Sequence, residues 1–531
     1  MTNKSICTAL LGLTVSFSGL VEAEAAKNYV SFATYHGTFM KNDGNGGSNE
    51  TVSGGAAYNS TYETMYMTNL SETEACIANN SLISINSDNG YYWSAQSNGD
   101  LDVDRLAVGT FETFQLINHT DTAGCIEDGD EISLYNPKHG TYVVAEKDGT
   151  ADADRTSVGT WEKFTLNLEP EVGEDYLDYG LHWVSTTDNG VQIQSKAVEQ
   201  DGAVISQSSA DYYDDSKPTV IYFHGWQSGS SEYNYRRENF TFADNGDSNS
   251  MASWKNRGWN VGVFYWNQFA DEDEVKDAEA KIWSANGPKG MRYFLNDGSS
   301  STGLSPNKSV GELASEQISA ALANNTSGNI RFAGHSLGNQ LAVYAADLIN
   351  DAVNTGSVSE NVMPNRIALL DPFWSQDSKS YLGDANGDGS NDWVGEKTRW
   401  AITDMINDRD VAIEWYKSSA IFDLWIGDQN TALEKIVNLN SLRFWYLDAT
   451  DITGKHVNAR HWYFQSMNNA EPEEVTINWW GSRNETGSDA ASARTSDNRI
   501  RAMMGDDHEW DQVEGRYTAK PSDDQFEIKD Y

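Results

Sequence analysis

The first third of the chain repeats itself, and that repetition limits its fold more than any other feature. "SINSDNGYYWSAQSNGDLDVDRLAVGTFETFQLIN" returns as "SLYNPKHGTYVVAEKDGTADADRTSVGTWEKFTLNL". Gly90-Tyr91-Tyr92 aligns with Gly140-Thr141-Tyr142, and Phe111-Glu112-Thr113-Phe114 with Trp161-Glu162-Lys163-Phe164. A weaker first copy carries Gly37 and Glu63 in the matching places. The period is about 50 residues, within the range that marks repeat architectures. Each copy reads as short alternating strands parted by Gly, Asn and Asp turns. A unit of hairpins cannot bury its apolar face alone, so residues 26–170 are expected to close into a threefold all-β module.

Beyond Glu169 the pattern changes. "EPEVGEDYLDYG" is an acidic linker. "PTVIYFHG" (218–225), "WNVGVFYW" (259–266), "NIRFAG" (329–334), "NRIALLDP" (365–372) and "VAIEWYKSS" (411–419) are strand-like, and "GELASEQISAALANN" (311–325) has helical spacing. Strands alternating with helices predict a mostly parallel sheet covered on both faces, over 171–471. Residues 472–531 are polar and charged, with "INWW" as their one strongly apolar patch. They read either as a small β extension or as a tail.

The formal charge is −42 over 531 residues. Such a surface repels phosphate backbones and anionic membranes, so a nucleic-acid partner is not expected. Residues 1–25 read as a secretory signal: Lys4, an apolar run from Ile6 to Val21, then the small-x-small site Ala23-Glu24-Ala25. That run is too short for a membrane anchor, and no later segment is apolar enough to span. The expected location is therefore extracellular. Cys7 leaves with the signal, and Cys76 and Cys125 remain as one candidate disulfide.

The chemistry centres on Gly334-His335-Ser336-Leu337-Gly338. A strand enters this stretch and a helix leaves it, with Leu341, Tyr344, Ala345 and Leu348 on one face. A sharp turn that lifts a serine above the sheet needs neighbours without side chains. Ser336 is thus the candidate nucleophile. It needs a base, and the base needs an orienting carboxylate. Asp371 ends the next apolar strand, with Asp410 and Asp448 as competitors. Of the histidines after it, His456 is expected in a polar loop, His461 in a packed segment, and His508 at the surface. Leu337 and Trp226 are expected to offer main-chain N–H groups to an oxyanion. Gly225 would let that loop approach, and His224 would hold it.

These blocks resemble the pancreatic lipase-like α/β-hydrolases: "YFHGW", "GHSLG", "LLDP", and a histidine followed six residues on by "WYFQS". In that family the matching positions are oxyanion loop, nucleophile, acid and base. The resemblance implies those roles for Trp226 with Leu337, Ser336, Asp371 and His456. The family's aromatic pair fits Trp462 and Tyr463 when counted from His456. The blocks span about 218–466 of the sequence. The catalytic region lacks the family's cysteines, and no C-terminal lipid-binding β-sandwich is recognisable. A lid would lie in 420–447, where Phe422, Leu424, Trp425 and Ile426 are candidates to cover the site. The repeats, with "G-x-Y-x-x-A" and "W/F-E-x-F-x-L", resemble a fascin-like β-trefoil, whose relatives bind glycans or protein filaments.

"GDANGDGSND" (383–392) places oxygen donors at Asp384, Asn386, Asp388 and Asp392. That opens like a calcium loop, but the twelfth position holds Gly395 rather than glutamate. A structural Ca²⁺ is the expectation there, with no cofactor for catalysis. The combined expectation is a secreted triacylglycerol lipase or esterase with a lipid ester substrate. Phospholipase A1 is an alternative, as is a glycan-binding adhesin with a degenerate hydrolase domain.

Overall fold

A computed structural model describes residues 27–530, except for 57–61, 72–75, 121, 172, 187–191, 201, 206–211, 233–237, 239, 243–247, 421–426 and 506–507. The leader (1–25) and the four proposed lid side chains in 421–426 lie outside the described residues.

The repeats build an all-β region. Lys27–Thr34 pairs with Thr64–Asn69, which pairs with Leu82–Asn86. Leu82–Asn86 then meets Phe114–Asn118, Glu131–Asn136 and Phe164–Leu168 follow in turn, and the last returns to the first. Every pairing is antiparallel and the ring is closed, so the barrel has no free edge. Three hairpins stand off the ring: Phe39–Asn42 with Val52–Ala56, Tyr92–Ala95 with Leu101–Arg105, and Thr141–Ala145 with Ala151–Arg155. Single bridges Thr51–Asp102, Ser53–Thr150 and Asp100–Asp152 join them to one another. Alternate residues such as Phe32, Ile83, Leu116 and Leu166 fill the interior. Cys76 and Cys125 form the expected disulfide, 49 residues apart.

The rest of the chain builds one 12-stranded mixed sheet with helices. Its strands are β1 (Gly180–Thr186), β2 (Gln192–Lys196), β3 (Thr219–Phe223), β4 (Asn260–Tyr265), β5 (Ile330–His335) and β6 (Arg366–Leu370). They continue with β7 (Ala412–Lys417), β8 (Asn438–Ser441), β9 (Glu473–Ile477), β10 (Arg483–Asp489), β11 (His508–Glu514) and β12 (Gln525–Asp530). The order across the sheet is β2-β1-β4-β3-β5-β6-β7-β8-β11-β12-β9-β10. From β4 through β11 all neighbours are parallel.

Side chains alternate faces along each strand. Ile221, Phe223 and Phe332 pack under helices α1 (Val275–Trp283), α2 (Val310–Ala321), α3 (Gly338–Asn354) and α4 (Val394–Arg409). Val220, Tyr222 and Ala333 pack under α5 (Ile452–Ser466) and the last sixty residues. The chain leaves β3 toward β4 and leaves its neighbour β5 toward β6. Connections departing adjacent parallel strands in opposite directions open a crevice at their carboxyl ends.

Of the two readings of residues 472–531, the β extension is the one found: β9–β12 continue the main sheet. One sequence expectation is revised: the second half of 420–447 is not a lid, because β8 is a buried sheet strand and Leu442 and Phe444 are core residues.

Candidate active site

Ser336 lies between β5 and α3 with φ +57°, a region that a residue with a Cβ rarely occupies. The flanking glycines permit it. A Cβ on Gly334 would sit 2.6 Å from the Asn339 Cα, and one on Gly338 would sit 2.6 Å from the His224 carbonyl oxygen. Gly225, at the end of β3, comes so close that its Cβ would be 2.7 Å from the Ser336 Cβ. The loop after β3 and the serine turn therefore touch at the crevice, and side chains on these glycines would push them apart.

That loop is pinned from outside. The Trp266 main-chain N–H donates to His224 Nε2 at 3.0 Å, and the Trp266 indole donates to the His224 carbonyl at 2.9 Å. His224 Nδ1 reaches the Gly225 carbonyl at 2.9 Å, so this histidine clamps the loop, as the sequence suggested. The Trp226 indole donates to the Glu272 carbonyl at 2.6 Å. Asp271 accepts from Ser231 N–H at 2.9 Å and from Gly229 N–H. The main-chain N–H groups of Trp226 and Leu337 have no acceptor among the described residues.

Asp371 follows β6 and is fully buried, with φ +42°. Its Oδ1 accepts from the N–H groups of Ser418 at 2.7 Å and Ser419 at 3.2 Å. Its Oδ2 accepts from His456 Nδ1 at 2.7 Å and from the Ser419 hydroxyl. These donors replace the water a buried carboxylate has lost. With Nδ1 carrying the proton to Asp371, Nε2 of His456 is the basic nitrogen.

His456 is in helix α5 rather than in a loop. Asp451 caps the helix by accepting from Gly454 N–H at 2.7 Å. The helix escapes a periodicity search because it is buried around much of its girth, through polar residues such as Asn458 and Gln465 as well as Trp462 and Phe464. His461 is packed, as expected: it stacks on Phe242 at 4.2 Å, and burial holds its pKa down to about 3. His508 lies in β11 beside Trp510.

Three contributors were missed in the sequence. His335, beside the serine, donates from Nε2 to the His456 carbonyl at 3.0 Å, with the two rings 4.4 Å apart. Burial first, then the neighbouring His456 and Arg460, keep it neutral by depressing its pKa well below the usual histidine value. Asn339 Nδ2 donates to the Ser336 carbonyl at 3.0 Å, while its Oδ1 accepts from Leu370 N–H at 3.0 Å, tying the serine turn to the acid's strand. Ser419 completes the aspartate's shell. No single-residue motif announces these roles, which depend on contacts between distant segments.

The four calcium candidates lie in one loop that hydrogen-bonds to itself. Asp384 accepts from the N–H groups of Gly387 at 2.7 Å, Asp388 at 3.1 Å and Gly389 at 2.9 Å. Asn386 donates to Asp388 at 3.3 Å. Asp392 is buried, accepts from Ala385 N–H and faces Lys397 at 3.9 Å. Among the described residues, no group of three or more His, Cys, Asp or Glu side chains is arranged to hold a metal.

A comparison with models of known protein families finds no match, and a comparison with curated proteins finds no relative. No helix among the described residues is long and apolar enough to cross a membrane.

Proposed function

We propose that this chain is an exported serine hydrolase of carboxylic esters, with lipid esters as the substrate class. The observation that carries the reading is the strained Ser336 at the crevice, linked through His335 to a base helix whose His456 is bonded to buried Asp371. In this reading His456 Nε2 takes the hydroxyl proton as Ser336 Oγ attacks the carbonyl carbon. The carbonyl oxygen, now negative, accepts from Trp226 and Leu337 N–H, each worth about 2.7–4 kcal/mol. The imidazolium, steadied by Asp371, gives its proton to the leaving alkoxide, and an acyl-enzyme remains. Water then repeats the sequence and releases the acid.

The fold reading that goes with this is an α/β-hydrolase preceded by a β-trefoil, supported by the parallel sheet and by the closed barrel with its three hairpins. A glycan or other surface ligand is the proposed partner of the barrel. The disulfide supports an oxidising, extracytoplasmic setting.

Hydrolysis of short- and long-acyl p-nitrophenyl esters by the native chain and by Ser336→Ala tests the reading. Turnover that disappears in the variant supports it, and a native chain inert on both esters refutes it. Long-acyl preference, followed by release of the sn-1 acid from phosphatidylcholine, separates esterase, lipase and phospholipase A1.

A further inference from the structure

A second site lies at the other edge of the sheet. A cavity of about 600 Å³ is lined by Arg257, Trp259, Asn329, Arg331, Arg494 and Arg501. Arg257 and Trp259 precede β4, and Asn329 and Arg331 stand at the start of β5. Ser336 follows the far end of β5, so this cavity belongs to the edge away from the nucleophile.

Four guanidinium groups share this cavity with one carboxylate, Asp497, in a chain of net charge −42. Arg331 is only 3% exposed, and its Nε is buried with no hydrogen-bond partner. Its Nη1 donates to the Ala493 carbonyl at 2.7 Å and the Tyr463 hydroxyl at 3.2 Å, and its Nη2 lies 3.7 Å from Asp497, contacts that hold the group in place. Its guanidinium carbon lies 4.8 Å from the centre of the Trp259 ring. Arg257 has no polar side-chain partner among the described residues. Arg494 donates to the Asn469 carbonyl at 2.9 Å and lies 3.7 Å from Glu471, while Arg501 donates to the Asp410 carbonyl at 2.6 Å. Two of the arginines thus have one acidic neighbour apiece, one faces Asp497, and the fourth, Arg257, has no acidic partner among the described residues.

We propose that this cavity binds a phosphate or sulfate group, free or carried on a small organic molecule. Arginine's planar fork matches tetrahedral oxyanions through paired N–H···O bonds. The volume suits a small molecule, and Trp259 offers an aromatic wall for an organic moiety. Arg494 and Arg501 come from the last forty residues, and Arg257 and Arg331 from the body of the sheet. A bound anion therefore ties the end of the chain to the sheet's centre, and binding should appear as stabilisation.

The test uses the full chain. Thermal midpoints and calorimetric titrations are taken with inorganic phosphate and with phenyl phosphate, against sodium chloride at matched ionic strength. The chloride arm is needed because any salt relieves the self-repulsion of so acidic a chain. We expect a saturable rise with phosphate beyond that with chloride. Arg257→Gln should weaken phosphate binding at least tenfold while leaving the unliganded midpoint unchanged, since the Arg257 side chain makes no polar contact among the described residues and its main-chain N–H is kept. Tighter binding of phenyl phosphate than of phosphate, lost in Trp259→Ala, marks an organic phosphate as the ligand; equal affinities mark the free anion. A midpoint that rises equally with chloride, or Arg257→Gln titrating like the native chain, overturns the proposal.

Discussion

The barrel and the sheet bury polar groups for different ends. In the barrel they recur with the repeat: Glu112 accepts from Gly109 N–H at 2.8 Å, and Glu162 from Gly159 N–H at 2.6 Å. Each closes the same turn in its copy. In the sheet region the buried polar residues do not recur. Asp371, Ser419 and the pair His335 and Asn339 come from three segments and meet at one edge. Backbone strain divides in the same way. The described non-glycine residues with positive φ in the barrel are Asn45, Asn49 and Asn80, a residue type that tolerates it. In the sheet they include Ser336 and Asp371, two of the three proposed catalytic residues. A repeated sequence spreads its polar groups over turns, whereas an unrepeated one can concentrate them in a single place.

That contrast can be broken by substitution. Ser336→Ala should lower ester turnover by more than about a thousandfold with the melting of both regions unchanged, because the loss is chemical. Asp371→Asn should cost about 10⁴-fold in kcat by leaving His456 in the wrong tautomer; a mild loss in a steady-state assay would remove Asp371 from the role of orienting acid. Cys76→Ser should do the reverse. It should destabilise the barrel by about 4 kcal/mol in denaturant titration on the chain-entropy model, with ester kcat unaltered. Gly338→Ala should fall between these classes. Its methyl would meet the Phe223 and His224 carbonyls, costing about 1–3 kcal/mol and lowering activity together with stability.

The smallest effect concerns pH. Burial raises the Asp524 carboxyl to about 7, against hydrogen bonds from Trp462 and Gln512. Between the ordinary carboxylate range and pH 7 the folded chain holds a proton that the unfolded chain has released. This contribution is therefore full in acid and fades as pH rises through that window. Asp524→Asn should flatten the corresponding slope in a plot of melting midpoint against pH.

Some of this is readable in the sequence, for stated reasons. The repeat announces a threefold β region because its turns and aromatics recur. Ser336 and Asp371 are legible because each ends an apolar strand in a turn that few sequences can make. The helix carrying His456 is not legible, because residues buried around much of its girth leave no single apolar stripe. The sheet membership of β10, "RNETGSD", is hidden too, since an exposed edge strand has no apolar side to show. Asn339 and Ser419 act only through partners far away in sequence.

The last strands have a consequence for how the molecule is made. Arg366, in the middle of the sheet, is fully buried with Glu414, and it donates to the Ser492 and Thr495 carbonyls at 2.7 and 2.5 Å. Until residues 492–495 have been synthesised, that arginine has a carboxylate but no carbonyls, and one flank of the sheet lacks its covering. The barrel closes on its own residues, so it can fold while the chain is still emerging. The sheet around Ser336 must wait until residues 492–495 have emerged. A ribosome that stalls before residue 492 would therefore release a finished barrel joined to an incompletely covered, protease-sensitive remainder.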